Sequence, residues 1–395
     1  MGGLFRRDSK RSGLRGVTMK KGNKIVALFM CVLTVVLTVA CGKDNSADDS
    51  ALSISIEEAE RVGSTTEAAP EEGENYEIPE GMYLSEITGE PISEDIKDQR
   101  PIAVMVDNEK KALPHFGTAE ADVVYEIMNS TLNDRVTTLM CIVKDWGKIE
   151  QMGSIRSTRP TNILLAAEWD AVLCHDGGPI AHITAYFKNP WAQHFSGTFS
   201  RVKNGKPKEF TEYVCSGDME SNFSSMKKDP AYSTTYTEYR NEGSHFNFAP
   251  YGKEVDLTKV YDKTYPVTEI GLPFWHNTST LKYNAETKQY EYYEYGSRHE
   301  DAEDGEPLSF KNVLIQKCDF NQLDDHGYLI YNCIAAGQPG WYITNGVAKS
   351  ITWVKDDATH LTRFYDDKGE EIQINTGKTY ITLVPSDTWD SLTMK

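Results

Sequence analysis

The stretch from Gly153 to Pro179 reads Gly-Ser-Ile-Arg-Ser-Thr-Arg-Pro, then Thr-Asn-Ile-Leu-Leu-Ala-Ala-Glu-Trp-Asp, then Ala-Val-Leu-Cys-His-Asp-Gly-Gly-Pro. It spells a loop, a helix, a strand and a second loop. Pro160 suits the first helical position, where a missing N–H costs nothing. Ile163, Leu164 and Ala167 then fall on one helical face. Ala171 to Cys174 is a short apolar run ending at His175, and Asp-Gly-Gly-Pro must leave as a turn. Arg156 and Arg159 stand at the helix start, where the helix dipole favours negative charge. Two cations there call for an anion, either a carboxylate of this chain or a bound ligand.

Upstream, Arg100-Pro-Ile-Ala-Val-Met-Val is an apolar strand of the kind buried on both faces. It ends abruptly in Asp107-Asn108. If Ile102 to Val106 and Ala171 to Cys174 are parallel neighbours, both strands end on the side where α/β sheets place ligands. That geometry defines an expected binding site of Asp107, Asn108, Arg156, Arg159, His175, Asp176, Gly177 and Gly178, with Arg135 as a further cation. Guanidinium groups and helix-start N–H donors would hold a small anion or an anionic envelope component. The structural alternative is that the arginines pair internally with Asp107 or Glu126. The enzymatic alternative uses Asp107, His175 and Asp176 as acid–base groups or metal ligands of a hydrolase. No nucleophile motif, phosphate loop or metal-ligand spacing accompanies them, so no cofactor or metal is expected.

The chain has 395 residues and a net charge of −18, which argues against a nucleic-acid partner. Lys20, Lys21 and Lys24 precede an apolar run from Ile25 to Ala40, the pattern of a secretory signal. The run ends Leu-Thr-Val-Ala-Cys41-Gly, similar to a bacterial lipobox, which makes Cys41 the expected lipidation site and residues 1–41 the signal. Thr38 stands where that motif usually has Leu. Residues 42–81 read as an acidic tether. Between 42 and 80, twelve acidic residues stand against Lys43 and Arg61, too little apolar content to fold. The expected location is extracytoplasmic, on the membrane through the lipid. Cys141, Cys174, Cys318 and Cys333 sit in apolar runs and read as buried thiols.

Two further units complete the chain. Residues 82–250 read as a layered α/β half. Val123 to Met128 and Arg135 to Val143 are paired strands, with Glu126 and Arg135 expected to face water or each other. A short helix is expected from Pro179 to Phe187, then an irregular polar region to Pro250. Residues 251–395 read as a mostly β half, with Thr379 to Pro385 closing its sheet. The fold class is therefore mixed α/β.

Several of these pieces recur in order in one known family. Arg100-Pro-Ile-Ala-Val-Met-Val-Asp-Asn, Ala121-Asp-Val-Val-Tyr-Glu, Gly153-Ser-Ile-Arg-Ser-Thr-Arg-Pro, His175-Asp-Gly-Gly, Asn312-Val-Leu-Ile-Gln and Gly369 to Pro385 resemble the YerB-like bacterial lipoproteins. That family is built from a two-part domain with no assigned activity. The family's His-Asn-Leu-Tyr stretch has no counterpart between Phe195 and Ser225. The resemblance implies the layered α/β fold with a β-rich second half, and a lipoprotein location. It implies no chemistry.

Overall fold

The computed structural model describes residues 76–241 and 243–395. The signal, Cys41 and the tether up to residue 75 lie outside the described residues. Regular structure begins with a strand pair, Met82–Leu84 against Pro91–Ser93, around a turn at Gly89.

An 11-stranded sheet forms the frame of the fold. Its strands are β1 (Ile102–Asp107), β2 (Val123–Met128), β3 (Thr137–Val143), β4 (Val172–His175), β5 (His194–Ser196), β6 (Tyr265–Pro266), β7 (Asn312–Cys318), β8 (Ala335–Thr344), β9 (Val347–Lys355), β10 (Arg363–Tyr365) and β11 (Thr379–Pro385). The order across the sheet is β6-β9-β8-β7-β11-β2-β3-β1-β4-β5, with β10 on β9. β1 and β4 are parallel neighbours, Ile102 opposite Val172 and Val104 opposite Cys174. β2 and β3 form the expected antiparallel hairpin.

Thr379 to Pro385 does not close a separate sheet. β11 lies in the middle, parallel to β7 on one side and to β2 on the other. All seven of its residues are buried, as a strand covered on both faces requires. The two halves of the sequence therefore share one sheet. The fold is mixed α/β with sheet dominant. Its longest helices have eight residues among those described, and one of them, α1 (Pro160–Ala167), is buried throughout with Pro160 at its first turn. A second, six-stranded sheet from the C-terminal half includes the hairpin Thr280–Asn284 and Gln289–Glu294.

Buried polar groups fasten the halves together. Glu126 faces neither water nor Arg135: it is fully buried on β2, and Ser279, Tyr292, Tyr380 and Thr137 donate hydroxyl hydrogen bonds to it. Burial raises its pKa. Four donors are what a carboxylate in such a place needs. Glu168, just past α1, accepts from Tyr125, from the Thr362 hydroxyl and from Lys355 Nζ at 2.9 Å. The five described cysteines are free thiols, and Cys141, Cys174, Cys318 and Cys333 are buried.

Candidate functional site

The parallel pairing of β1 and β4 stops at Val104 and Cys174, and beyond that point the chain from Ser154 to Thr158 passes between the strand ends. Asp107 N donates to Ser154 O at 2.9 Å, Arg156 N to Met105 O at 2.9 Å, and Asp176 N to Arg156 O at 3.0 Å. This segment spreads the two strands and delivers Arg156 to the resulting crevice, the location favoured for ligands in α/β sheets. Gly178 makes the turn after β4. Its φ is +147°, and a Cβ there would lie 2.8 Å from Ile183 Cδ1 and 2.9 Å from Thr158 O.

The crevice opens into a cleft of about 460 Å³ lined by Arg156, Asp176, Arg201, Pro207, Lys208 and Glu209. Arg156 Nε lies 2.8 Å from Asp107 Oδ2 and Nη2 lies 3.5 Å from Glu209. The first contact is an ion pair without an aligned hydrogen bond, since Asp107 Oδ2 has no donor. Burial pushes Asp107 up to about 6, with Arg156 opposing. Arg201 Nη2 bridges two carboxylates, Asp176 Oδ2 at 3.0 Å and the buried Glu212. Burial and the neighbouring Asp176 push Glu212 up to about 7. Burial works against Asp176 as well, but Glu212 and Arg201 outweigh it and hold Asp176 below its usual range. The two carboxylates thus divide one proton unequally.

Of the residues anticipated from sequence, Asp107, Arg156, Asp176, Gly177 and Gly178 gather at or beside this cleft. Four others do not line it. Asn108 is wholly buried; its Nδ2 donates to Thr137 and Tyr292, and its carbonyl accepts from Asn277 and Tyr295. Arg135 pairs bidentately with Asp387 at 2.8 and 2.6 Å, near Trp275. Arg159 is buried, donates to Asn129 O and Thr158 O, and lies 4.6 Å over the Tyr328 ring. It makes no carboxylate pair among the described residues. Both ring nitrogens of His175 are engaged, Nδ1 with Gly177 O at 2.7 Å and Nε2 with His194 at 3.0 Å. Burial lowers the His175 pKa to about 4.

Arg201, Lys208, Glu209 and Glu212 come from the region read as irregular. The one signal in sequence was Glu212 opening the apolar run Glu-Tyr-Val-Cys. That run pairs with Gln151–Gly153 and so lies beside the Gly153 to Pro179 stretch.

The chain matches both halves of a described family. The N-terminal domain model of DUF3048, a protein of unknown function, matches residues 87–235, and the C-terminal domain model matches 270–381. The chain belongs to this two-part family. It is 23% identical over 312 residues to YerB of Bacillus subtilis (strain 168), named as a candidate lipoprotein, across 76% of this chain and 85% of that one. The crystal structure of YerB from Bacillus subtilis superposes with a TM-score of 0.65 at 19% identity, covering 79% of this chain and 99% of the other.

Proposed function

We propose that the protein is an extracytoplasmic lipoprotein, anchored through Cys41, that binds an anionic group of the cell envelope in the cleft between β1 and β4. One observation carries the reading: Arg156 and Arg201 enter the same strand-end cleft from different elements, with Lys208 beside them. Each arginine already faces carboxylates, so affinity arises where a ligand offers better geometry than Asp107 or Glu212 does. Bidentate guanidinium recognition of a phosphate or carboxylate supplies that geometry. The lipobox-like Leu-Thr-Val-Ala-Cys41 and the naming of the Bacillus relative support the location. The test is calorimetric titration of the full-length chain, held in detergent, with a glycerol phosphodiester and with acetate. Binding of either should weaken as salt rises and should fall about tenfold or more in Arg201→Ala, the loss of one charge-assisted contact.

A second reading rests on Asp176 and Glu212. Their pKa values are driven apart beside an open cleft, as in acid–base pairs of hydrolases. Turnover of an envelope substrate that disappears in both Asp176→Asn and Glu212→Gln, with binding retained, would favour it.

A further inference from the structure

His115, Glu294 and His299 meet inside the protein, one donor atom of each lying within 4.8 Å of the other two. All three residues are buried. His115 comes from the loop after β1, Glu294 ends the strand Gln289–Glu294, and His299 lies just past the next short strand. The three therefore come from both halves of the chain.

The hydrogen bond to a carbonyl fixes the tautomer of His115. His115 Nε2 is 2.7 Å from Asp107 O, a carbonyl that can only accept, so Nε2 holds the hydrogen and Nδ1 a lone pair. That Nδ1 is buried and has no hydrogen-bond partner. His299 Nε2 is 3.0 Å from Thr118 Oγ1, and Thr118 donates onward to Asp301 Oδ2. The 2.8 Å contact between His299 Nδ1 and Glu294 Oε1 holds a proton between the two; in the tautomer with hydrogen on Nε2, that nitrogen donates to Thr118 and Nδ1 is freed as a ligand. Glu294 Oε2, also buried, has no donor. With that proton displaced, two imidazole lone pairs and a carboxylate converge on one buried point. The outer contacts, ring N–H to a backbone carbonyl and to a Thr–Asp relay, are those that orient metal-binding histidines.

We propose that His115, Glu294 and His299 form a site for a first-row divalent cation, zinc by its two-nitrogen, one-oxygen donor set. Ligation requires the donors to close to about 3.3 Å from one another, the spacing of a tetrahedral site with bonds of ~2.0–2.1 Å. His299 and Glu294 are already closer than that. The ion would tie the loop after β1 to the hairpin of the second sheet, one hydrogen bond away from Asp107 of the cleft. The competing occupant is a proton, shared between Glu294 and His299.

The test is metal analysis of the full-length chain after equilibration with Zn²⁺ and removal of free ion, with thermal melts with and without chelator. One equivalent of zinc is expected, with the melting temperature raised by roughly 5 °C at a hundredfold excess over the dissociation constant. Thr118→Val, which keeps all three donors but cuts the relay to Asp301, should weaken zinc about 10- to 100-fold. His299→Gln should abolish stoichiometric binding while retaining the far-ultraviolet dichroism of the parent; should it fail to fold, the Thr118→Val comparison decides. Less than a tenth of an equivalent of zinc, cobalt or manganese, with melting unmoved by metal and chelator, would overturn the site and leave the shared proton. Unchanged affinity in Thr118→Val would overturn it as well.

Discussion

Asp107 uses its atoms in two directions. Its carboxylate faces Arg156 across the cleft, while its carbonyl accepts from His115. Arg156 is partly exposed and Asp107 is not, so removing the cation leaves a buried carboxylate short of a partner. Arg156→Ala should cost about 1–2 kcal/mol in urea denaturation, with the loss offset if Asp107 protonates. Arg159 behaves differently. Its guanidinium is spent on two carbonyls and the Tyr328 ring, so Arg159→Ala should destabilise by about 2–4 kcal/mol and leave anion affinity within twofold. Glu212 sets a pH dependence. Pushed up to about 7, above the usual carboxylate value, it loses its charge as pH falls through 7 and leaves Arg201 facing Asp176 alone, on which Arg156 also acts. Binding of a glycerol phosphodiester, which itself does not titrate in this range, should tighten from pH 8 to pH 6. Glu212→Gln should flatten that dependence, and an unchanged slope in the variant would contradict the assignment.

Between elements, the decisive contact is the Ser154–Thr158 segment laid between β1 and β4. It depends on the turn at Gly178, where any side chain meets Ile183 and the Thr158 carbonyl under a positive φ. Gly178→Ala should cost about 1–3 kcal/mol in thermal melts and weaken cleft binding by the same displacement of Arg156. This arrangement was half legible in the sequence. The apolar runs Ile102–Val106 and Ala171–Cys174, each stopping at a polar residue, announced buried parallel strands whose ends open together. Arg159, three residues from Arg156 in sequence, was misleading because the chain there is extended: it caps α1 with φ −128° and ψ 163°, and its guanidinium lies over Tyr328. Arg201 and Glu212 were hidden because short strands such as Ser200–Arg201 carry no periodicity. The His115–Glu294–His299 cluster has only a partial local signature: Glu294 and His299 are five residues apart, but His115 stands far upstream in the other half and joins them only in three dimensions.

Across the described fold, β11 decides how the halves behave. A C-terminal strand at the centre of the sheet, parallel on both sides, joins the contiguous N-terminal strands β2-β3-β1-β4-β5 to the C-terminal ones, so neither block has a free edge there. The sequence suggested two packed units because its helices and strands segregate along the chain; the pairing of residues 379–383 with 123–127 is not written in either segment alone. Unfolding should be one cooperative transition, and Leu383→Ala, which empties a fully buried position on β11, should cost about 2–5 kcal/mol and lower that single transition. Two separated transitions, with Leu383→Ala moving only one, would contradict a shared sheet. The functional reading, however, stands or falls with the cleft. It is tested by titrating the full-length chain with the glycerol phosphodiester at pH 6 and low salt, side by side with Arg156→Ala, Arg201→Ala and Arg159→Ala. Saturable binding that fails in the first two variants and survives in the third is the expected result; no saturable binding by the parent chain, or equal loss in all three, would contradict it.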